Sequence, residues 1–381
     1  MMMRALFRNI VVCIVCLLGV LNVGQAQSED IGIGVIAGIT GLGASYGLGI
    51  TRGAEMAARD INSAGGINGR NIKLTIVDDA SNPPRSAIAM RRLTTANVSV
   101  IVGGWGSPQV LANMDIVEQV GIPYIVVGAT NPRITAPTNK WTFRVIPSDA
   151  VMASQLANIA TKNLATKRIA VINDNNDYGT GNREIFIAAL TREGIKPVEV
   201  QSYQSSDTDF SAQLGRLRDA KPDAIAIFGT VPAAPAIMKQ ARKLGITARF
   251  LGTGGLANEA LIALAPTASE GTVLTSFFSE EVDPEARGWA DRYRQEYAGQ
   301  SEPPRPVLAA WEYRAIRDIA APCLKSADSN MVHLRDCIAR WRGKLPGVSG
   351  EAYFDATGQL VHQPVVVEIR DGDFRLLQAA K

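Results

Sequence analysis

Short apolar runs rich in valine and isoleucine recur along the chain at 31–37, 72–78, 98–103 and 124–128. They recur again at 168–172, 198–203, 224–228 and 249–252. Stretches of helical period separate them, such as TRGAEMAARDINSAGGI after the first run. Continuous apolar strands alternating with amphipathic helices predict parallel sheets covered on both faces. The two series also match at their unit ends. Tyr46-Gly47 and Tyr178-Gly179 stand just before the first helix of each. GGWGSP at 103–108 answers FGTVP at 228–232 after the third strand, and GATNP at 128–132 answers GTGG at 252–255 after the fourth. The pattern predicts an α/β chain of two similar, doubly wound lobes, whose small-residue turns beyond the strand ends face each other across a cleft.

After Phe277-Phe278 the sequence predicts a helix over 284–297, a turn at Pro303-Pro304-Arg305-Pro306 and a further helix through Trp311. A hairpin is expected from 350–354 and 365–370, joined across Asp355-Ala356-Thr357-Gly358. This tail would cross back to complete both lobes. One lobe is then expected from 27–147 with 276–354, the other from 148–275 with 355–381, joined by a hinge.

Residues 1–26 carry Arg4 and Arg8, the apolar run 10–23 and small residues at Gly24-Gln25-Ala26, which reads as a cleaved export signal. The run is shorter than the ~20 apolar residues of a spanning helix, and neither Cys13 nor Cys16 follows a small residue as a lipoprotein site would. Removal of the signal takes two arginines from 39 basic against 36 acidic residues and leaves 355 residues close to neutral. That length suits two core-bearing domains, and that charge argues against a nucleic-acid partner. In an oxidising compartment Cys323 and Cys337 are expected to pair as a disulfide tying two helices. A redox or metal role fits poorly, because the spacing is not CxxC and only His333 lies nearby.

Enzyme readings find little support. The chain has two histidines, His333 and His362, and no His/Cys/carboxylate group with ligand spacing. It has no phosphate-binding loop. Gly32-x-Gly34-x-x-Ala37 imitates a dinucleotide fingerprint but lies within the first strand, so its glycines read as core packing. Asp78-Asp79 reads as a strand terminator forming the turn at Asn82-Pro83. No metal or cofactor is expected. Ser107 is the leading ligand contact, at the start of a helix whose positive end would face an anion; the plainer reading is an N-cap serine, and the two roles can coexist. Thr130 offers a hydroxyl on the neighbouring loop, and Tyr46, Trp105 and Tyr178 read as aromatic walls.

The stretches RGAEMAARDINSAGGINGR, VDDASNP, VGATNPRIT, INDNNDYGTG and KQARKLGITARFLG resemble the type I periplasmic binding proteins, in particular the leucine/isoleucine/valine-binding branch serving ABC transporters. The resemblance implies two Rossmann-like lobes joined by three hinge crossings that close on ligand. It implies a ligand carboxylate and ammonium held at Ser107 with Gly128, Ala129 and Thr130, and aromatic walls at Tyr46 and Tyr178. It further implies an acidic partner for the α-ammonium at the position of Gly254, which has no charge to offer, and a second tyrosine around Thr230-Val231, also absent. Asp177, next to Tyr178, is a candidate substitute for the missing acid. The ligand expected is therefore a small carboxylate, either a branched or hydrophobic amino acid or an aromatic or branched organic acid without an ammonium, with Phe277 a further wall. The remaining expectations are a monomeric periplasmic receptor and an inner-membrane permease as its partner. The competing class is an exported sensor, which a fused transmembrane or kinase segment would favour; this sequence carries neither.

Overall fold

Valine- and isoleucine-rich runs buried on both faces form the centre of each lobe in the computed structural model, which describes residues 29–377 apart from 137, 301–305, 328–329 and 349. The export signal and the turn at 303–305 lie outside the described residues. The first sheet is built from β1 (Ile31–Ala37), β2 (Ile72–Asp78), β3 (Val100–Gly103), β4 (Tyr124–Val126) and β5 (Thr142–Arg144) in the order β2-β1-β3-β4-β5, all parallel. The second contains β6 (Ile169–Asp174), β7 (Glu199–Tyr203), β8 (Ala224–Phe228), β9 (Arg249–Gly252) and β10 (Val273–Ser276). These run β7-β6-β8-β9-β10, the same order as the first sheet. The duplication read from the apolar runs is thus a duplication of topology, with a fifth strand in each lobe.

Both fifth strands escaped sequence reading. Each is three or four residues long with threonine or serine among its positions, so neither carries a run long enough to stand out.

Helices α1 (Ala44–Ser63), α2 (Pro83–Thr94), α3 (Ser107–Val120), α4 (Asp149–Asn158) and α5 (Asp177–Arg192) start just beyond strand ends or crossings. α1 stops where Gly65 and Gly66 take positive φ, and their N–H groups bond Asn62 O and Ile61 O. Such left-handed positions after a helix favour glycine, which has no Cβ to clash.

The chain passes between the sheets three times. It leaves the first after β5 for α4, returns after β10 to the helix Pro306–Arg314 packed on α1, and leaves again before β14 (Val365–Arg370). β11 (Arg342–Gly343), β12 (Ala352–Phe354) and β13 (Leu360–Val361) form a small antiparallel sheet. The expected hairpin is corrected here. The turn at 355–358 joins β12 to β13, whereas β14 pairs antiparallel with β10 and with β15 (Asp373–Leu376). β14 alternates buried and half-buried residues, and the open flank of β10 offers a longer ladder than three-residue β12 could.

Buried polar bonds tie the first and third crossings together. The Arg144 guanidinium donates to Gln359 Oε1 (2.7 Å), Asn131 O (2.6 Å) and Thr135 Oγ1 (3.2 Å). His362 Nε2 donates to Val145 O at 2.9 Å.

Cys323 and Cys337 form a disulfide with Cα atoms 5.6 Å apart, joining the helices Ala321–Ser326 and Met331–Ala339. Their separation of 14 residues closes a short loop. The double substitution Cys323→Ala, Cys337→Ala is expected to cost about 3 kcal/mol, measured as a lower urea midpoint.

Candidate ligand site

The strand ends of both lobes open onto one cavity of about 260 Å³, near the lower end of the ~300–1,000 Å³ range of small-molecule sites. Tyr46, Trp105, Ser107, Gly128, Thr130, Tyr178 and Gly254 line it, and Phe277 completes the wall. Ala129 does not. It is 1% exposed and faces the core around Val110 and Met114, because consecutive residues of an extended loop point to opposite sides.

One end of the cavity is built by α3 and the loop after β4. Pro108 holds the first turn of α3, whose N-cap is Gly106 and not a serine, so the N-cap reading of Ser107 is corrected. Freed from capping, the Ser107 hydroxyl accepts from Asn131 N at 3.2 Å and keeps its own hydrogen for a ligand. The N–H groups of the first helical turn have no partner within the helix, so Ser107 and Gln109 present donors here, Pro108 having none. Thr130, 2% exposed, lies beside the Asp149 carboxylate without reaching hydrogen-bond geometry. The N-terminus of α3 and the Ser107 hydroxyl therefore stand at this end of the cavity, a place suited to an anion.

The apolar middle is aromatic. The Tyr46 and Trp105 rings stack at 5.2 Å, 13° from coplanar. Tyr46 also clamps the lobes: its hydroxyl donates to Gly255 O (2.6 Å) and accepts from Val231 N (2.9 Å). Asn131 Nδ2 donates across the mouth to Asp177 O at 3.0 Å. The Tyr178 hydroxyl pairs with Thr253 Oγ1 and accepts from Gly255 N, both at 2.9 Å, while burial pushes its pKa far above the usual phenol value.

Gly254 faces Phe277. A Cβ built on Gly254 would overlap the Phe277 ring, whose Cζ is the nearest atom. The ring fills the space an acidic side chain would need. Asp177 is no substitute either, since its carboxylate turns outward to Arg133 Nη1 at 3.5 Å and both side chains are well exposed. Sequence reasoning missed Asp174, Ser205 and Gln109, which also line the cavity. For Asp174 the signal was available, because it is the last residue of β6 and strand ends carry the ligands of this architecture.

Asp149, wholly buried behind Thr130, has its pKa raised from 3.8 to about 6 by burial, with Thr130, Asn182 and Arg144 opposing the shift. The folded state thus holds a proton that the unfolded state releases between about pH 4 and 6, so this group lowers stability as pH rises through that window. Relative to wild type, Asp149→Asn is expected to be more stable at pH 7.5 than at pH 4 by about 3 kcal/mol, read from urea unfolding at both values.

Among the described residues no group of His, Cys, Asp and Glu is arranged to hold a metal, and no helix is long and apolar enough to cross a membrane. A family model of periplasmic binding proteins matches residues 30–373. The chain belongs to that family. As a periplasmic binding protein it is 30% identical to an amino acid binding protein of Pseudomonas aeruginosa, over 84% of this chain and 85% of that one. Its fold superposes on a leucine binding protein, LivK, of Thermotoga maritima with a TM-score of 0.83 at 28% identity, covering 91% and 98% of the two chains. LivJ of Streptococcus pneumoniae, crystallised with isoleucine, gives 0.82 at 28% identity over 91% and 97%. The chain is thus a ligand-binding receptor of the Leu/Ile/Val-binding type.

Proposed function

We propose that this receptor, exported to the periplasm, binds a small carboxylate lacking an α-ammonium, aromatic or branched, and delivers it to an inner-membrane ABC permease. The observation that carries this reading is the Phe277 ring standing where an acidic side chain at 254 would pair an ammonium. A buried ammonium left without a charged partner forfeits about 1–3 kcal/mol, one to two decades of affinity. The carboxylate end is retained at Ser107 and Thr130, while Tyr46, Trp105, Tyr178 and Phe277 enclose an apolar body. Binding and lobe closure are the function, with no chemical step. The relatives named for amino acids share the fold; what points to a ligand without an ammonium is the pairing of Gly254 with Phe277 in this chain.

A thermal-shift screen of the mature protein, stripped of co-purified ligand, tests the reading. Leucine, isoleucine, valine and phenylalanine are set against benzoate, hydroxybenzoates, phenylacetate and branched keto acids. A ligand at 100 times its Kd adds about 2.7 kcal/mol and raises Tm measurably. Stabilisation by the organic acids alone is expected; stabilisation by leucine or isoleucine would overturn the argument from Gly254.

A further inference from the structure

Asp174 is 4% exposed and lines the cavity, yet no cation faces it. Its side chain receives one hydroxyl, that of Ser205, placed 2.7 Å from both carboxylate oxygens, while the nearby N–H of Asn175 donates to Tyr203 O at 2.8 Å. The carboxylate of Asp207 adds a like charge nearby. Ser205 is held in this role from behind, because Asn176 Nδ2 donates to Ser205 Oγ at 3.3 Å. Asn176 is itself fixed as the N-cap of α5, accepting from Tyr178 N and Gly179 N. The relay runs Asn176 to Ser205 to Asp174 and ends on a carboxylate with acceptor positions to spare, since an ionised carboxylate offers about four.

The Ser81 hydroxyl, also on the cavity wall, donates to Thr40 O and accepts from Gly43 N. Burial raises the Asp174 pKa, with the Ser205 bond opposing it, the direction expected of a carboxylate short of donors. Such a group is costly to bury unless a donor arrives with the ligand. Asp174 ends β6, and β8 stands between β6 and β9. At ~4.8 Å per strand spacing, this subsite lies roughly 10 Å along the sheet from the Gly254 turn. It is therefore a different position from the ammonium site of the amino acid receptors.

We propose that Asp174, oriented by Ser205, is the second anchor of the ligand and selects carboxylates carrying a hydrogen-bond donor, a hydroxyl or an amine, remote from the carboxylate. The inference rests on the reading of the cleft as a carboxylate site. It narrows the ligand to a hydroxylated or aminated acid, held at Ser107 and Thr130 by one end and at Asp174 by the other.

Calorimetric titration of the mature protein at pH 7.5 tests it, with benzoate, 3- and 4-hydroxybenzoate, 4-aminobenzoate and 4-methoxybenzoate as probes. One branched pair, 4-methylpentanoate and its 5-hydroxy derivative, extends the test to aliphatic acids. At least one donor-bearing acid is expected to bind about 10-fold or more tightly than its parent, and the methoxy compound, which only accepts, to gain nothing. In Asp174→Asn and in Ser205→Ala that preference is expected to fall below about 3-fold. Ser205→Ala, a smaller change, decides the matter should Asp174→Asn fail to fold. Equal affinity for donor-bearing and parent acids, an equal gain from the methoxy group, or a preference that survives both substitutions would overturn the inference while leaving the carboxylate reading intact. Failure of every carboxylate to bind would overturn that reading, and the inference with it.

Discussion

A chain carrying Gly254→Glu together with Phe277→Ala is expected to gain leucine, isoleucine or valine binding by about 10- to 100-fold and to lose organic acids of similar size. The gain is that of a charge-assisted hydrogen bond between the new carboxylate and an α-ammonium. The loss comes from like-charge repulsion and from a buried acid left unpaired. Both substitutions are needed because any Cβ at 254 overlaps the Phe277 ring. Gly254→Glu alone is expected to destabilise the fold by about 1–3 kcal/mol through overpacking and to create no amino acid site. Phe277→Ala alone removes a ring that is 3% exposed and is expected to cost about 3 kcal/mol or more. Calorimetry with leucine and benzoate on the wild type and the three variants measures the exchange. Tight leucine binding by the wild type would sink it at once.

Ser107→Ala combined with Thr130→Val is expected to weaken binding of every carboxylate by at least about 100-fold, whatever the rest of the ligand. Each hydroxyl donating to a carboxylate contributes about 1.5–3 kcal/mol. The two act on one ligand group, so their effects need not add. The fold should survive, since the Ser107 side chain does not cap α3 and the Thr130 hydroxyl makes no well-formed bond within the protein. The one native bond lost is that from Asn131 N to Ser107 Oγ. Calorimetry against any bound acid, with circular dichroism as the control for folding, checks the result. Retention of affinity within a few-fold would place the ligand carboxylate elsewhere in the cavity.

The apolar runs made the two lobes legible because parallel strands buried on both faces leave an uninterrupted Val/Ile signature. The same runs located the strand ends, and with them Tyr46, Trp105, Ser107, Thr130 and Tyr178, all of which line the cavity. What this signature lacks was missed. β5 and β10 are too short, and the partner of β14 is β10, some ninety residues earlier in the chain. Alternation along a strand shows which face is buried and says nothing of which edge it joins.

The site divides along the same line. Residue types at strand ends were sufficient to name most of the predicted residues around the cavity, because strand position and the helix terminus after it are properties of local sequence. Direction was not. Ala129 and Asp177 stand beyond the right strand ends, but one turns into the core and the other toward Arg133 at the rim. Asp174 and Phe277 acquire their meaning only from what packs around them. The glycine at 254 was visible as a missing charge, while the ring that fills its place comes from the end of β10 in the folded chain. Periodicity and local propensity determined the architecture. The identity of the groups facing the ligand was decided by contacts between residues far apart in the chain, which only tertiary packing brings together.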